Sequence, residues 1–154
     1  MRDSKIDYRQ LEQLKANLEA ISKESDAFFE AAAKELAARL LSKVIRRTPV
    51  GQYPKGSGKV GGTLRRGWTS GKSQSAAAFA NSLPVHRFGD TYVIEVINPV
   101  EYASYVEFGH RTAGGNGWVE GRHMLTISEE EIKRDATGIL EAKLKKWLSG
   151  AEGK

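Results

Sequence analysis

Apolar residues recur at helical spacing from Leu11 to Val44, and the run stops at Thr48-Pro49. Leu11, Leu14, Leu18 and Ile21 follow a three-four-three spacing with Glu12, Lys15 and Glu19 between them, which places them on one face of a helix beginning near Tyr8. Ser22, Ser25 and Asp26 interrupt this stripe with side chains that compete for backbone hydrogen bonds. The expectation is a bend there, with Asp26 capping a second helix from Ala27. Phe29, Ala33, Leu36, Leu40 and Val44 carry that helix to Arg47, because the residue before a proline is pushed out of helical geometry.

A third apolar stripe, Ile132, Ala136, Ile139, Leu140, Leu144, Trp147 and Leu148, predicts a C-terminal helix. Ser128 and Glu131 have the spacing of a capping box at its start. Glu129 to Glu131 suit the positive end of the helix dipole, and Lys143, Lys145 and Lys146 suit the negative end.

The middle of the chain reads as short elements between glycine-rich loops. Pro49 to Gly62 holds five glycines and two prolines and is expected to be a long loop, mobile in the free subunit. Thr63 to Ser70 reads as a strand, and Ser73 to Ala80 gives no clear signal. Thr91 to Asn98 alternates Tyr92, Ile94 and Val96 against Val93, Glu95 and Ile97, and Gly89-Asp90 before it is a hairpin turn pairing it with Val85 to Phe88. Asn98-Pro99-Val100-Glu101 predicts a short helix, ended at Phe108 by Gly109 and buried by its apolar side chains. His110 to Gly121 reads as a second glycine-rich loop, followed by a brief strand from Arg122 to Ile127. The fold class is therefore α+β, with a long N-terminal helix pair and a C-terminal helix packed on a small antiparallel sheet.

At 154 residues the chain is expected to form a single domain able to bury a core without a disulfide or a structural metal. Residues 1–25 would be a helical extension, 26–148 the core and 149–154 a flexible tail. The absence of cysteine removes disulfides, thiolate catalysis and cysteine zinc sites together. No apolar run approaches the roughly 18 residues that span a bilayer, so neither secretion nor membrane embedding is expected.

The net charge of +5 is unevenly distributed. Ten basic residues and no acidic one lie between Leu36 and Gly89, while all 19 acidic residues lie outside that stretch. Such a one-sign run suggests a surface that meets a polyanion or an acidic partner. Arg46, Arg47, Lys55, Lys59, Arg65 and Arg66 are the candidate contacts. Trp68, in Leu64-Arg65-Arg66-Gly67-Trp68, could stack on a base, but an inward-facing Trp68 and Leu64 explain the pattern more simply.

Motifs for chemistry fail on their spacing. Gly58-Lys59 lacks the earlier glycine and the following Ser or Thr of a phosphate loop, having Tyr53 and Val60 instead. Gly71-Lys72-Ser73-Gln74-Ser75 lacks the closing glycine of a nucleophile elbow. His86, His110 and His123 each sit beside an arginine, which disfavours a divalent cation. No catalytic residue, metal or cofactor is therefore expected. Glu107 stands out in an apolar segment, where an unpaired carboxylate is costly, so an arginine partner is expected from Arg65, Arg66 or Arg111.

Four segments carry a resemblance: Arg47-Thr48-Pro49-Val50-Gly51, Gly62-Thr63-Leu64-Arg65-Arg66-Gly67-Trp68-Thr69, Tyr102-Ala103-Ser104-Tyr105-Val106-Glu107-Phe108-Gly109-His110-Arg111 and Gly121-Arg122-His123-Met124-Leu125. In this order, after a charged N-terminal helix, the chain resembles the tail-component or tail-completion proteins of tailed bacteriophages and prophages, the gene-product-ten-like neck family. Tyr-Val-Glu-Phe-Gly-His-Arg is the most specific piece. The chain departs from the commoner pattern in its longer loop, Gln52 to Val60, and in Gly121 to Leu125, where many members have a proline-rich turn.

The resemblance implies a structural, non-enzymatic protein of a virion or phage-tail-like particle, assembled in the bacterial cytoplasm. It would form a homo-oligomeric ring, with six copies expected, at the neck, collar or head–tail connector, as a tail-completion part. Its partners would be other neck, portal-adaptor or tail-tube proteins, with non-specific contact to DNA in the channel and none to membrane. Glu107, Phe108, Arg111 and Trp118 become candidate interface or packing residues. A free basic nucleic-acid-binding protein is the alternative.

Overall fold

The computed structural model describes residues 8–150. Helix α1, Tyr8–Arg47, is one continuous helix of 40 residues, so the expected bend is absent and the helix pair is a single helix. Asp26 caps nothing: its Oδ1 accepts from Arg87 Nη1 at 2.7 Å and from the Tyr92 hydroxyl at 2.6 Å. Those partners take up the carboxylate that would otherwise compete for the helix backbone. Phe28 and Ala32 are buried just after it and hold the helix through the polar stretch.

Helix α5, Met124–Leu148, runs antiparallel to α1. The pairing is fixed along its length by Arg47 and Lys43 on Glu131, by Lys143 on Glu35 at 3.4 Å, and by the Phe28 and Trp147 rings with centroids 5.2 Å apart. α5 starts earlier than the capping-box signal implied, and the strand expected over Arg122 to Ile127 is absent: Met124 to Ile127 are the helix's first turn, preceded by His123 at the cap position. Ser128 is fully buried inside the helix, where its hydroxyl donates to the Met124 carbonyl at 2.6 Å and accepts from Arg47 Nη1 at 3.1 Å.

The segment expected to be a strand from Thr63 to Ser70 is helix α2, Thr63–Gly67. Leu64 and Trp68 are both buried, an outcome that four-residue spacing on a helix and alternation on a strand satisfy equally. Helix α3, Ala76–Ser82, is capped by Ser75, whose hydroxyl accepts from the Ala78 N–H, and it packs on α1. Strands β1, His86–Phe88, and β2, Thr91–Val93, form the expected hairpin, pairing His86 with Val93 and Phe88 with Thr91 around a turn with Gly89 at φ 61°. The ladder is shorter than expected and stops at Val93.

Helix α4, Ala103–Phe108, begins five residues after Asn98, whose Oδ1 accepts from the Val100 N–H. Gly109 ends it as expected, at φ 88° and ψ 172°. That is an extended conformation open mainly to glycine, in place of the expected left-handed helical cap. The loop expected from His110 to Gly121 contains a second hairpin, β3, Gly109–Arg111, on β4, Trp118–Glu120. A Cβ on Gly109 would lie 2.4 Å from the Val119 carbonyl oxygen, and one on Gly121 would lie 2.2 Å from that of Glu107. Only glycine permits these approaches.

The core joins these elements through Ala37, Leu41 and Val44 of α1, Leu64 and Trp68, Phe79 and Ala80 of α3, and Met124 of α5. The fold is α+β, as expected, and among the described residues its antiparallel part is two separate two-stranded hairpins. The residues at 151–154 of the expected flexible tail, and those at 1–7, lie outside the described residues. No described helix is long and apolar enough to cross a membrane.

Candidate functional site

The site is built at the end of α1, where Thr48 is fully buried. Its hydroxyl donates to the Val44 carbonyl at 2.7 Å and accepts from Trp68 Nε1 at the same distance. Its own carbonyl oxygen accepts from Arg65 through Nε at 3.1 Å and Nη2 at 2.7 Å. This fork satisfies a carbonyl that the helix end leaves open, and it sets the direction in which Pro49 leaves. Trp68 is thus a core residue and is not exposed for base stacking.

The loop that follows is pinched at its neck. A Cβ on Gly61 would fall 2.0 Å from the Gly51 carbonyl oxygen, Gly62 has φ +91°, and Arg66 Nη1 donates to the Gly61 carbonyl at 3.1 Å. Residues 52–60 are exposed beyond this neck. Lys59 places its ammonium 5.7 Å from the centre of the Tyr53 ring.

The one-sign stretch does not form one basic surface. Arg47 and Lys43 close on Glu131, Arg39 on Glu35 and Arg87 on Asp26, while Arg65 is spent on Thr48. Lys43 and Arg47 hold the Glu131 carboxyl down to a pKa of about 2. Among the described residues Arg46, Lys55, Lys59 and Arg66 have no carboxylate within ion-pair distance. Arg46 and Arg66 do donate to the Ser42 and Gly61 carbonyls, so of the six candidate cations Arg47 and Arg65 are held in part-buried contacts and Lys55 and Lys59 stand at the exposed loop tip.

Glu107 is 5% exposed, and its partner is not an arginine. Its carboxylate accepts from the Leu125 N–H at 2.9 Å, the Thr126 N–H at 2.9 Å and the Thr126 hydroxyl at 2.7 Å. These are donors of the first turn of α5, which has no side-chain cap of its own because His123 stands at the cap position with φ 47°. Burial alone would raise the pKa of Glu107, but these hydrogen bonds outweigh it and lower the value. The backbone repeats the link, since Arg122 and His123 donate to the Val106 and Glu107 carbonyls.

That clamp turns the rest of α4 outward. Phe108 is 63% exposed, Tyr105 59% and Trp118 55%, and Tyr102 and Arg111 are also exposed, so the expected burial of α4 is corrected: Ala103, Val106 and Glu107 face inward. The Tyr105 and His110 rings lie 5.8 Å apart, and Trp118 covers Gly109. An exposed aromatic surface of this kind has the composition found in protein–protein contacts. Among the described residues no cluster of three His, Asp or Glu side chains could hold a metal.

A family model described as "Bacteriophage HK97-gp10, putative tail-component" matches residues 12–109. The match runs from the first turns of α1 through the loop, α4 and Gly109, and so includes Glu107. No curated protein and no solved structure gives a significant match.

Proposed function

Since the chain belongs to the HK97-gp10-like family of bacteriophage tail components, we propose that it assembles as a ring, of six copies, at the neck or upper end of a phage tail or tail-like particle and completes the tail there. The observation that carries this reading is the outward aromatic surface of α4 and the β3–β4 hairpin, held in place by Glu107. Tyr105, Phe108 and Trp118 gain by burial against a neighbouring subunit or another neck or tail-tube protein, and the short helix beneath them cannot turn to bury them internally. Glu107 acts by positioning this surface, and Arg111 lies on the same hairpin.

The loop at 52–60 supplies the second contact. Lys55 and Lys59 at its tip, with Arg46 and Arg66 near its root, suit an acidic subunit surface or the phosphates of DNA in a channel. The role is structural, and no residue is assigned a catalytic part.

Complementation tests this reading. Cells making particles without this chain should accumulate incomplete tails or unjoined heads, and the wild-type chain should restore complete particles. Restoration by a Tyr105→Ala/Phe108→Ala/Trp118→Ala variant as full as by wild type would contradict the assignment of the aromatic surface.

A further inference from the structure

Resting on the self-assembly proposed above, we infer that the β3–β4 hairpin of one copy adds as a strand to the open edge of residues Ile94 to Ile97 in another copy.

Thr91 to Asn98 carries the clearest strand pattern in the sequence, yet only Thr91–Val93 is paired. The next four residues keep the alternation. Ile94 and Val96 are half-buried against the core, while Glu95 and Ile97 are exposed, Ile97 at 62%. Among the described residues no backbone–backbone hydrogen bond reaches them. On the β1 side the ladder stops because the continued register sets Glu95 opposite Pro84, which has no N–H, and Val96 opposite Leu83 at the end of α3. The other edge meets no strand, since the sheet among the described residues has two strands. An edge of β-branched residues with unpaired N–H and C=O groups is a template for a further strand.

An apolar groove separates this segment from α5. One cavity of about 250 Å³ is lined by Tyr92, Ile94 and Val96 together with Leu36, Leu40 and Ile132. A second, of about 230 Å³, runs on from Val96 and Ile97 to Phe108, Met124 and Leu125. An extended chain satisfies both features, giving its backbone to the edge and alternate apolar side chains to the groove.

Charge selects the donor. From Phe88 to Gly109 every charged residue is acidic, and Asp90, Glu95 and Glu101 are exposed, with no ion pair among the described residues. The complement on the same chain is the β3–β4 hairpin and its base, where exposed and equally unpaired Arg111 and Arg122 outnumber Glu120. All three β4 residues are exposed, and among the described residues β4 pairs with β3 alone, so its outer edge is open. With Val119 in the apolar groove, Trp118 and the Arg111 opposite it fall on the outer face, where Glu95 and Ile97 also lie. Donor and acceptor are different patches, so the contact passes from copy to copy.

Sedimentation and hydrogen exchange of the full-length chain test this. At high concentration the wild-type chain should form oligomers, in which the amides of Ile94 to Ile97 exchange slowly, and those amides should exchange fast in the monomer. Ile97→Lys alters a side chain that a single copy leaves exposed, so it should keep the wild-type melting temperature and lose the oligomers. Because the chain has no cysteine, Ile97→Cys mixed with Glu120→Cys should be joined between copies by a short bis-maleimide, and neither variant alone should. Oligomers whose 94–97 amides still exchange fast, or Ile97→Lys oligomers like those of wild type, overturn the strand addition. A wild-type chain that stays monomeric up to its solubility limit overturns the second copy as donor. A ring in particles with those amides unprotected contradicts the strand addition alone. Solution oligomers with the edge protected, from a chain absent from particles, contradict only the neck assignment.

Discussion

Glu107, on the last turn of α4, caps the first turn of α5 by accepting the N–H and the hydroxyl of Thr126 at 2.9 and 2.7 Å. A carboxylate from another helix performs the task that a serine or aspartate at the helix start usually performs. Glu107→Ala would leave the Leu125 and Thr126 donors unpaired and remove a charge-assisted cap, so it should cost about 2 to 4 kcal/mol. Glu107→Gln, which keeps one acceptor oxygen, should cost about half as much. Urea denaturation of the two variants and wild type measures both.

The same relationship has a pH signature. The pKa of Glu107 is lowered in the folded chain and that of Glu131 is held at about 2. The unfolded chain, with ordinary carboxyls near ~4.3, binds more protons than the folded chain between these values. Their stabilisation is therefore complete above the unfolded pKa and is lost as pH falls towards 2. Melting temperature should drop over that window, and Glu131→Gln should flatten the drop while lowering the melting temperature at pH 7. An unchanged acid slope in Glu131→Gln would count against the Lys43–Glu131–Arg47 cluster.

Phe108 should tolerate truncation. Its sequence context suggested a buried aromatic, whose loss costs about 3 to 5 kcal/mol. At 63% exposure, Phe108→Ala should cost below about 1 kcal/mol. Trp68→Ala, by contrast, removes a buried ring and the bond to Thr48 and should cost about 3 to 5 kcal/mol. Thermal melts of the two variants side by side decide which aromatic belongs to the core.

These reversals show what the sequence could carry. Helix α1 and the C-terminal helix were legible because their apolar stripes run for many turns, and the β1–β2 hairpin because its turn and alternation are local. Ser128 and Glu131 imitated a capping box because only their spacing is visible in sequence. Their real partners, Arg47 and Lys43, lie more than eighty residues away. Asp26 misled in the same way, since Arg87 and Tyr92 claim it from the far hairpin. The β3–β4 hairpin left a usable signal in Gly109 and Gly121, which bracket Trp118-Val119-Glu120. The glycines between them masked it.

The loop tip makes its own prediction. Lys55→Glu/Lys59→Glu should leave the melting temperature of the isolated chain nearly unchanged, because both side chains are exposed beyond the pinched neck. The yield of complete particles should fall. Normal yield would remove the loop charge from the assembly mechanism, and a large loss of stability would show that the tip is part of the core.

A salt titration with duplex DNA separates the ring component from a free nucleic-acid-binding protein. With Arg47 and Arg65 occupied within the fold, the unassembled chain should bind weakly at physiological salt. Tight binding with a steep salt slope would favour the alternative.

Cryo-electron microscopy of particles completed with the wild-type chain tests the central claim most directly. The account predicts a closed ring of six copies at the neck or upper tail end, with Tyr105, Phe108 and Trp118 buried between subunits or against an adjoining tail protein. Particles that are complete without this chain at that level, or that hold it with those aromatic side chains still in solvent, would contradict it.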